Sequence, residues 1–379
     1  MFLSTVAASG WLSEPFMKML KEQGWTVHYA CRDPLKESCC DMFFPVCFSR
    51  NPYNFDNIRA YRQMKKLLNR EKYDIIHCNT PIASMVTRLA ARAARKAGTK
   101  VIYTAHGFHF YKGAPLLNWV VYYPIEKLMA RYTDCLITVN NEDYRRAVAK
   151  KFKAKQIKQV SVIGVDTDRF FPVDETEKQM LRVSNGYNEN DFILIYVAEF
   201  IERKNHIFLI NTLHELRKAI LSLRIVFAGI GRLQKQMIEE CVKRDVSDIV
   251  NFVGFRNDVP RLMQMADVVV SPSKQEGLAT NVMEGMATGL PVVCSAIRGH
   301  VDLIVDYKNG KIFGLDRSSE FSNAIKELYD SISLRMQLGA NAALGAAEVS
   351  LTKACGEMLD KYLSYERLSN GKHVSEYTS

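Results

Sequence analysis

A chain of 379 residues, 47% hydrophobic and 24% charged, has the size and composition of a soluble globular protein with two cores, and no apolar run reaches the roughly 20 residues of a membrane span. The net charge of +10 is carried by the first half: residues 1–170 hold 27 Lys and Arg against 14 Asp and Glu, and the remainder holds 24 against 27. Such a half either faces an anionic lipid surface or a phosphorylated acceptor, or is a solvated basic face; nucleic acid is argued against, because no recognised binding motif accompanies the charge.

The opening MFLSTVAASGWL lacks the basic n-region of a signal peptide and carries Ser4, Thr5 and Ser9, so cleavage is not expected. A first strand is predicted near Phe2 to Ala8, then a turn at Ser9-Gly10 and a helix from about Ser13, with Pro15 tolerated in its first turn. Gly24 ends that helix, and Trp25 to Cys31 alternates as a strand. The αβ series continues through helix Phe55 to Asn69, strand Tyr73 to His77, helix Ile82 to Ala97, strand Lys100 to Ala105, a helix around Leu116 to Tyr132 and strand Cys135 to Val139. Strands alternating with helices imply a parallel, doubly wound sheet.

The polar segment VDTDRFFPVDE, continuing through Asn190, is expected to separate two domains, 1–168 and 169–351. A second series follows: strand Phe192 to Val197, helix His206 to Ala219, strand Arg224 to Ala228, helix Gly231 to Lys243, strand Ile249 to Val253, helix Val259 to Met265 and strand Asp267 to Val270. Next come a helix from Val282 to Thr288 and strand Val292 to Cys294. Thr352 to Leu368 reads as an amphipathic helix, and a terminal helix over about 352–379 is expected to pack back on the first domain, its last ten or so residues fraying. Nine cysteines, odd in number and without a CxxC pair, suggest neither a disulfide framework nor a zinc knuckle, and are expected to be reduced thiols in a cytoplasm.

Four features of the second half fit a phosphate and sugar site. The loop AEFIERKN places Arg203 and Lys204 at the carboxyl end of a strand, where ligands bind in open α/β sheets and where two cations would neutralise a diphosphate. Gly254-Phe255 ends another strand, and either reads a base or makes a tight turn. In the stretch QEGLATNVMEGMATGLP, Glu276 and Glu284 stand eight positions apart, a spacing that on one continuous helix leaves them about 80° apart around the axis. With Glu276 in the loop and Glu284 on the helix they converge on one ligand and accept from sugar hydroxyls, while Gly277 lets the N–H groups of Leu278, Ala279 and Thr280 and the helix start near Asn281 approach it. In the first half, His106 follows a strand beside Gly107; it is either a structural histidine or a site residue.

The pattern QEGLATNVMEGMATGLPVV resembles the signature of retaining family 4 glycosyltransferases, which have the GT-B fold of two facing Rossmann-like domains with the active site in the cleft between them. Further matches are VAEFIERKNH, GRLQKQM, FVGFRNDVPRLMQMADVVVSPS, GVDTDRF and RGHVDLIVDYKNGKIF, and HCNTPIASM with YTAHGFHFYKGAPLLNWVVYYPIEK looks like the bacterial capsule and exopolysaccharide branch. The resemblance covers almost all of the chain. It implies an enzyme moving a sugar from a nucleotide diphosphate donor, UDP-linked, to a lipid-linked saccharide at the inner face of a membrane. Glu276 would bind the donor sugar, Glu284 the ribose hydroxyls and Lys204 the diphosphate, with His106 approaching donor or acceptor from across the cleft. No DxD-type metal motif is recognisable, so metal-independent chemistry with no cofactor is expected.

Two departures stand out. The family's Gly-Arg pair is replaced by Ala198-Glu199, with Arg203 a candidate substitute, and the N-terminal loop has only Gly10 where a Gly-rich turn is usual. Tyr111 to Tyr123, flanked by Lys112 and Lys127, is either an amphipathic ledge on a bilayer or a buried helix. Rival readings are a nucleotide-sugar epimerase on a similar fold, a hydrolase with paired carboxylates, and a catalytically degenerate donor-binding partner of an active transferase.

Overall fold

The computed structural model describes residues 2–3, 14–33, 39–160 and 162–374. Residues 4–8 of the expected first strand, the Ser9-Gly10 turn and the last five residues lie outside them. The chain forms two compact units, one of residues up to Ile163 with those from Ala354 onward, the other Gly164–Lys353.

The first unit runs β1 (Phe2–Leu3), α1 (Glu14–Glu22), β2 (His28–Cys31), β3 (Met42–Pro45), α2 (Asp56–Arg70), β4 (Ile75–Asn79), α3 (Pro81–Ala90), α4 (Arg92–Lys96), β5 (Lys100–Ala105), α5 (Leu116–Met129), β6 (Cys135–Thr138), α6 (Asn141–Ala149) and β7 (Gln156–Gln159). Its sheet has the order β3-β2-β1-β4-β5-β6-β7, every neighbouring pair parallel. The central strands IIHCN and KVIYTA are buried on both faces and so read as nearly continuous apolar runs. The edge strands differ: MFFP is apolar but half-exposed and closed by Pro45, and QIKQ is polar, as an unpaired sheet edge favours. The helix expected over 82–97 is two helices, interrupted at Ala91.

The second unit runs α7 (Glu175–Ser184), β8 (Phe192–Val197), α8 (His206–Ala219), β9 (Leu223–Ala228), α9 (Gln234–Lys243), β10 (Val250–Gly254), α10 (Val259–Gln264), β11 (Val268–Ser271), α11 (Thr280–Ala287), β12 (Val292–Ser295), β13 (Gly310–Phe313), α12 (Ser318–Asp330) and α13 (Ile332–Ala347). Its parallel sheet has the order β10-β9-β8-β11-β12-β13, around a core that includes Leu194, Tyr196, Ile225, Phe227, Val268 and Val270. Helix α7 lies inside the stretch read as a polar linker. Its Asp174 N-cap accepts from the Glu177 amide at 2.9 Å, and Lys178 and Arg182 reach Asp267 at 2.8 and 2.6 Å, so ion pairs replace the usual apolar stripe. GVDTDRF belongs to this unit, where Val165 bridges to Ser350. Helix α14 (Leu351–Val374) closes the chain; its Tyr362 hydroxyl meets His77 Nδ1 at 2.6 Å in the first unit's core. All nine cysteines are free thiols.

One buried ion pair fixes how α5 sits. Arg88 on α3, 1% exposed, donates to Glu126 at 3.1 Å, stacks over the Tyr103 ring at 4.1 Å, and the Tyr103 hydroxyl donates to the same carboxylate at 2.8 Å. Removing only the acid strands a buried guanidinium. Glu126→Ala is therefore expected to lower stability to urea by about 3–5 kcal/mol, whereas Glu126→Leu with Arg88→Met costs less; a double variant no more stable than the single one contradicts this.

Candidate functional site

Strands β8 and β11 are parallel neighbours, Val268 level with Leu194, so the loops leaving their carboxyl ends lie side by side. The first loop carries Arg203 and Lys204 and the second carries Glu276. Lys204 Nζ stands 2.5 Å from Glu276 Oε1 and Arg203 Nη1 3.2 Å from Oε2, closing both oxygens of a carboxylate that is 7% exposed. Burial pushes the Glu276 pKa upward, but the charges of Lys204 and Arg203 outweigh it and hold the group below the ordinary carboxylate value.

The cation loop is fixed from several sides. Tyr196 on β8 donates its hydroxyl to the Lys204 carbonyl at 2.8 Å and meets Ser273 Oγ at 3.1 Å. The Lys274 amide donates to the Arg203 carbonyl at 2.7 Å, and Asn205, in the left-handed region at φ 56°, donates its side-chain amide to the Pro272 carbonyl at 3.1 Å. The Glu276 loop is held in turn by Arg298, whose Nε donates to the Glu276 carbonyl at 3.1 Å. Gly299 has φ +81°, and a Cβ there would lie 2.8 Å from the Gly277 carbonyl oxygen, so only glycine lets these loops touch. His300 is buried between Ser271 and Ser295, with burial lowering its pKa to about 4 against the pull of Glu276.

Helix α11 begins at Thr280, with Ala279 as an N-cap that offers no side-chain acceptor to the first-turn amides. Leu278 and Ala279 are buried beside it, and the side chain of Asn281 is buried with neither amide atom partnered among the described residues. Gly285 lets the helix lie close on β11, since a Cβ there would come within 2.5 Å of Val269 Cγ2. Glu284 is half-buried, and its carboxylate has no hydrogen-bond or ion-pair partner among the described residues; burial pushes its pKa up to about 7, against the weaker pull of Arg169 and Lys204. Gly254, at φ +69°, ends β10 with its carbonyl taken by the Gly229 amide at 2.7 Å, and Phe255 projects beyond it, exposed. Glu199 is exposed on a shallow hollow with Ile201, Glu202, Arg203 and Arg232.

His106 lies in the first unit, directly after β5. Its Nε2 meets Asn79 Oδ1 at 3.0 Å, its Nδ1 is buried with no partner among the described residues, and burial lowers its pKa to about 4, leaving the ring neutral near pH 7. His109 instead stacks on Tyr122 at 4.5 Å between centroids. Sequence reasoning passed over Arg169, Asn205, Arg298 and Gly299 as site residues. The signals present were the asparagine directly after Arg203-Lys204 and the Arg298-Gly299-His300 triplet beyond β12.

A family model described as "Glycosyl transferases group 1" matches residues 177–344, and one described as "Glycosyl transferase 4-like" matches residues 2–140. The putative glycosyltransferase EpsD of Bacillus subtilis (strain 168) is 43% identical over 93% of this chain and 92% of its own. The chain belongs to this glycosyltransferase family. A UDP-Gal:alpha-D-GlcNAc-diphosphoundecaprenol alpha-1,3-galactosyltransferase of Escherichia coli is 28% identical to this glycosyltransferase over 83% of the chain and 82% of its own. The crystal structure of Anabaena HepE in complex with UDP and glucose matches the fold with a TM-score of 0.80 at 19% identity, covering 96% of this chain and 98% of that one. The glycosyltransferase thus has the GT-B fold, two Rossmann-like domains with parallel sheets.

The two glutamates give opposite pH behaviour. Glu284, raised to about 7 from the ordinary 4.5, imposes no penalty on the fold below pH 4.5, a growing one up to pH 7 and a constant one above. Glu284→Gln should therefore be more stable than the parent by an amount that rises from nothing to about 2 kcal/mol across that window, after discounting for partial exposure. Thermal unfolding of both proteins between pH 4 and 8 checks this, and a constant difference contradicts it.

Proposed function

We propose that this glycosyltransferase moves a hexosyl or N-acetylhexosaminyl group from a UDP-sugar to a lipid-linked saccharide, with retention of configuration, in bacterial surface polysaccharide assembly. The observation that carries the reading is the clasp of Lys204 and Arg203 on the buried Glu276 beside the uncapped start of α11. Two cations and a set of first-turn amides suit an anionic diphosphate, and a carboxylate next to them suits the hydroxyls of the attached sugar. The name of the Escherichia coli relative, with its UDP-Gal donor and diphosphoundecaprenol acceptor, supports the same donor and acceptor classes.

In this reading Lys204, Arg203 and the amides of Leu278, Ala279, Thr280 and Asn281 stabilise the leaving diphosphate, and Glu276 orients the donor sugar. Glu284 binds the ribose hydroxyls and, with its pKa near 7, serves as acceptor or donor. Gly254 and Phe255 border the base. The leaving diphosphate takes the acceptor hydroxyl's proton on the same face while the sugar passes through an oxocarbenium-like state, so no covalent enzyme nucleophile is needed. His106, at the carboxyl edge of the first unit's sheet, contacts the sugar or the acceptor. Protein cations supply the positive charge at the diphosphate, so the reading requires no metal. The enzyme works in the cytoplasm, peripheral to the inner membrane through its basic first half.

UDP-hexoses and UDP-N-acetylhexosamines should be screened for thermal stabilisation, and the stabilising donor then tested with GlcNAc-diphosphoundecaprenol and related lipid-linked saccharides. Transfer that persists in EDTA and falls about 100-fold or more in Lys204→Ala and Glu276→Gln is expected, with the anomeric configuration of the donor kept in the product. Undiminished transfer in these variants contradicts the site. Tight donor binding with only background UDP release against every acceptor favours a degenerate binding protein.

A further inference from the structure

Helix α5 is amphipathic the wrong way round. Its only acid, Glu126, points inward to Arg88 and Tyr103, and Trp119, Tyr122 and Tyr123 pack partly buried against the core with Phe110. The outward side is apolar: Leu116, Val120, Pro124 and Leu128, four residues apart and so in one row along the helix, are all exposed, Leu116 by 78% and Val120 by 64%. Leu117, 69% exposed, widens the row at its start. Fourteen residues make a rod about 21 Å long, and no described helix is long and apolar enough to cross a membrane, so this face is suited to lie on a bilayer.

The charges of the segment that carries the row are, Glu126 apart, of one sign. Between His106 and Arg131 the sequence has no acid besides the inward Glu126, while Lys112 and Arg131 are exposed and Lys127 leans over Tyr123, 3.2 Å from its hydroxyl. Glu142, which accepts from the Lys112 amide at 3.1 Å, is already paired with Arg146 at 2.7 Å. Apolar side chains rimmed by cations complement an anionic lipid surface, whose acyl boundary takes up the apolar row while its headgroups meet the cations.

We propose that the outward face of α5, with Leu116, Leu117, Val120 and Leu128 entering the acyl boundary and Lys112, Lys127 and Arg131 meeting the headgroups, is the element that seats this protein on an anionic bilayer. The proposal rests on the lipid-linked acceptor reading for its purpose but not for its test, since vesicles without donor or acceptor report on seating alone.

The test is co-sedimentation of the full chain with vesicles of phosphatidylcholine containing phosphatidylglycerol. Replacing Leu116, Leu117 and Val120 together by Ser should weaken partitioning at least tenfold, and Lys112→Glu with Arg131→Glu should weaken it most at low salt. The parent should act on a short-chain, water-soluble acceptor analogue if the enzyme is a transferase, and the Ser variant should keep that activity; inactivity of the parent counts against the functional reading and leaves the seating result intact, whereas a Ser variant that alone loses activity overturns the assignment of this face to seating. Amide exchange of the unaltered protein gives a check that needs no variant: added vesicles should slow exchange within residues 116–129. Parental partitioning by the Ser variant, unchanged exchange in α5, or a concentration-dependent dimer abolished by the same substitutions overturns the proposal.

Discussion

The second unit is organised by one electrostatic constraint: a carboxylate buried at Glu276 has to be matched by charge or it cannot stay ionised. The matching cations come from a loop more than seventy residues earlier, so the pairing requires β8 and β11 to be neighbours with their carboxyl ends level. The Tyr196 hydroxyl, the left-handed Asn205 and the Lys274 amide hold the two loops in register, and Gly299 lets a third loop, the one after β12, pack on the Glu276 loop. These interactions cost about what they return in stability, since buried ion pairs are seldom strongly stabilising. Their return is geometric, two cations held in one place at the edge of a sheet.

The neighbouring glutamate shows what the cations do. Glu276 and Glu284 are the same residue type in one short stretch, yet the first is held below the ordinary value and the second is pushed to about 7. The difference lies in direct contact: Lys204 and Arg203 touch Glu276, while Glu284 receives only the through-space influence of Arg169 and Lys204. Environments that drive two carboxyls apart in this way separate their roles, one a fixed anion and one a group that exchanges a proton near neutral pH.

How much of this was legible depended on whether a residue's partner was written into its own neighbourhood. Strands β5 and β8 could be bounded from sequence because burial on both faces leaves a largely apolar run, whereas at the sheet edges β7 is polar and β3, although apolar, is only four residues long and ends in Pro45. Helix α7 was hidden because its stabilising face is made of Lys178 and Arg182 bound to Asp267, although Asp174 with Glu177 three residues on was a readable start signal. At the site, Glu276, Lys204 and the α11 start followed from motif and strand-end position. Asn205 and Arg298 had local signals, the asparagine directly after Arg203-Lys204 and the Arg298-Gly299-His300 triplet, but what they do there rests on contacts that the fold makes, and Arg169 acts only through its field on Glu284.

The clasp also implies a competition. An incoming diphosphate and the Glu276 carboxylate seek the same two cations, so the resting ion pair opposes the ligand it is built to receive, and removing the carboxylate's charge should free both cations for phosphate. Calorimetric titration of UDP, without a sugar, into the parent protein and Glu276→Gln tests this directly. Severalfold tighter binding of UDP by the Gln variant is expected, with the advantage shrinking as salt is raised. Equal or weaker binding by Glu276→Gln would contradict it.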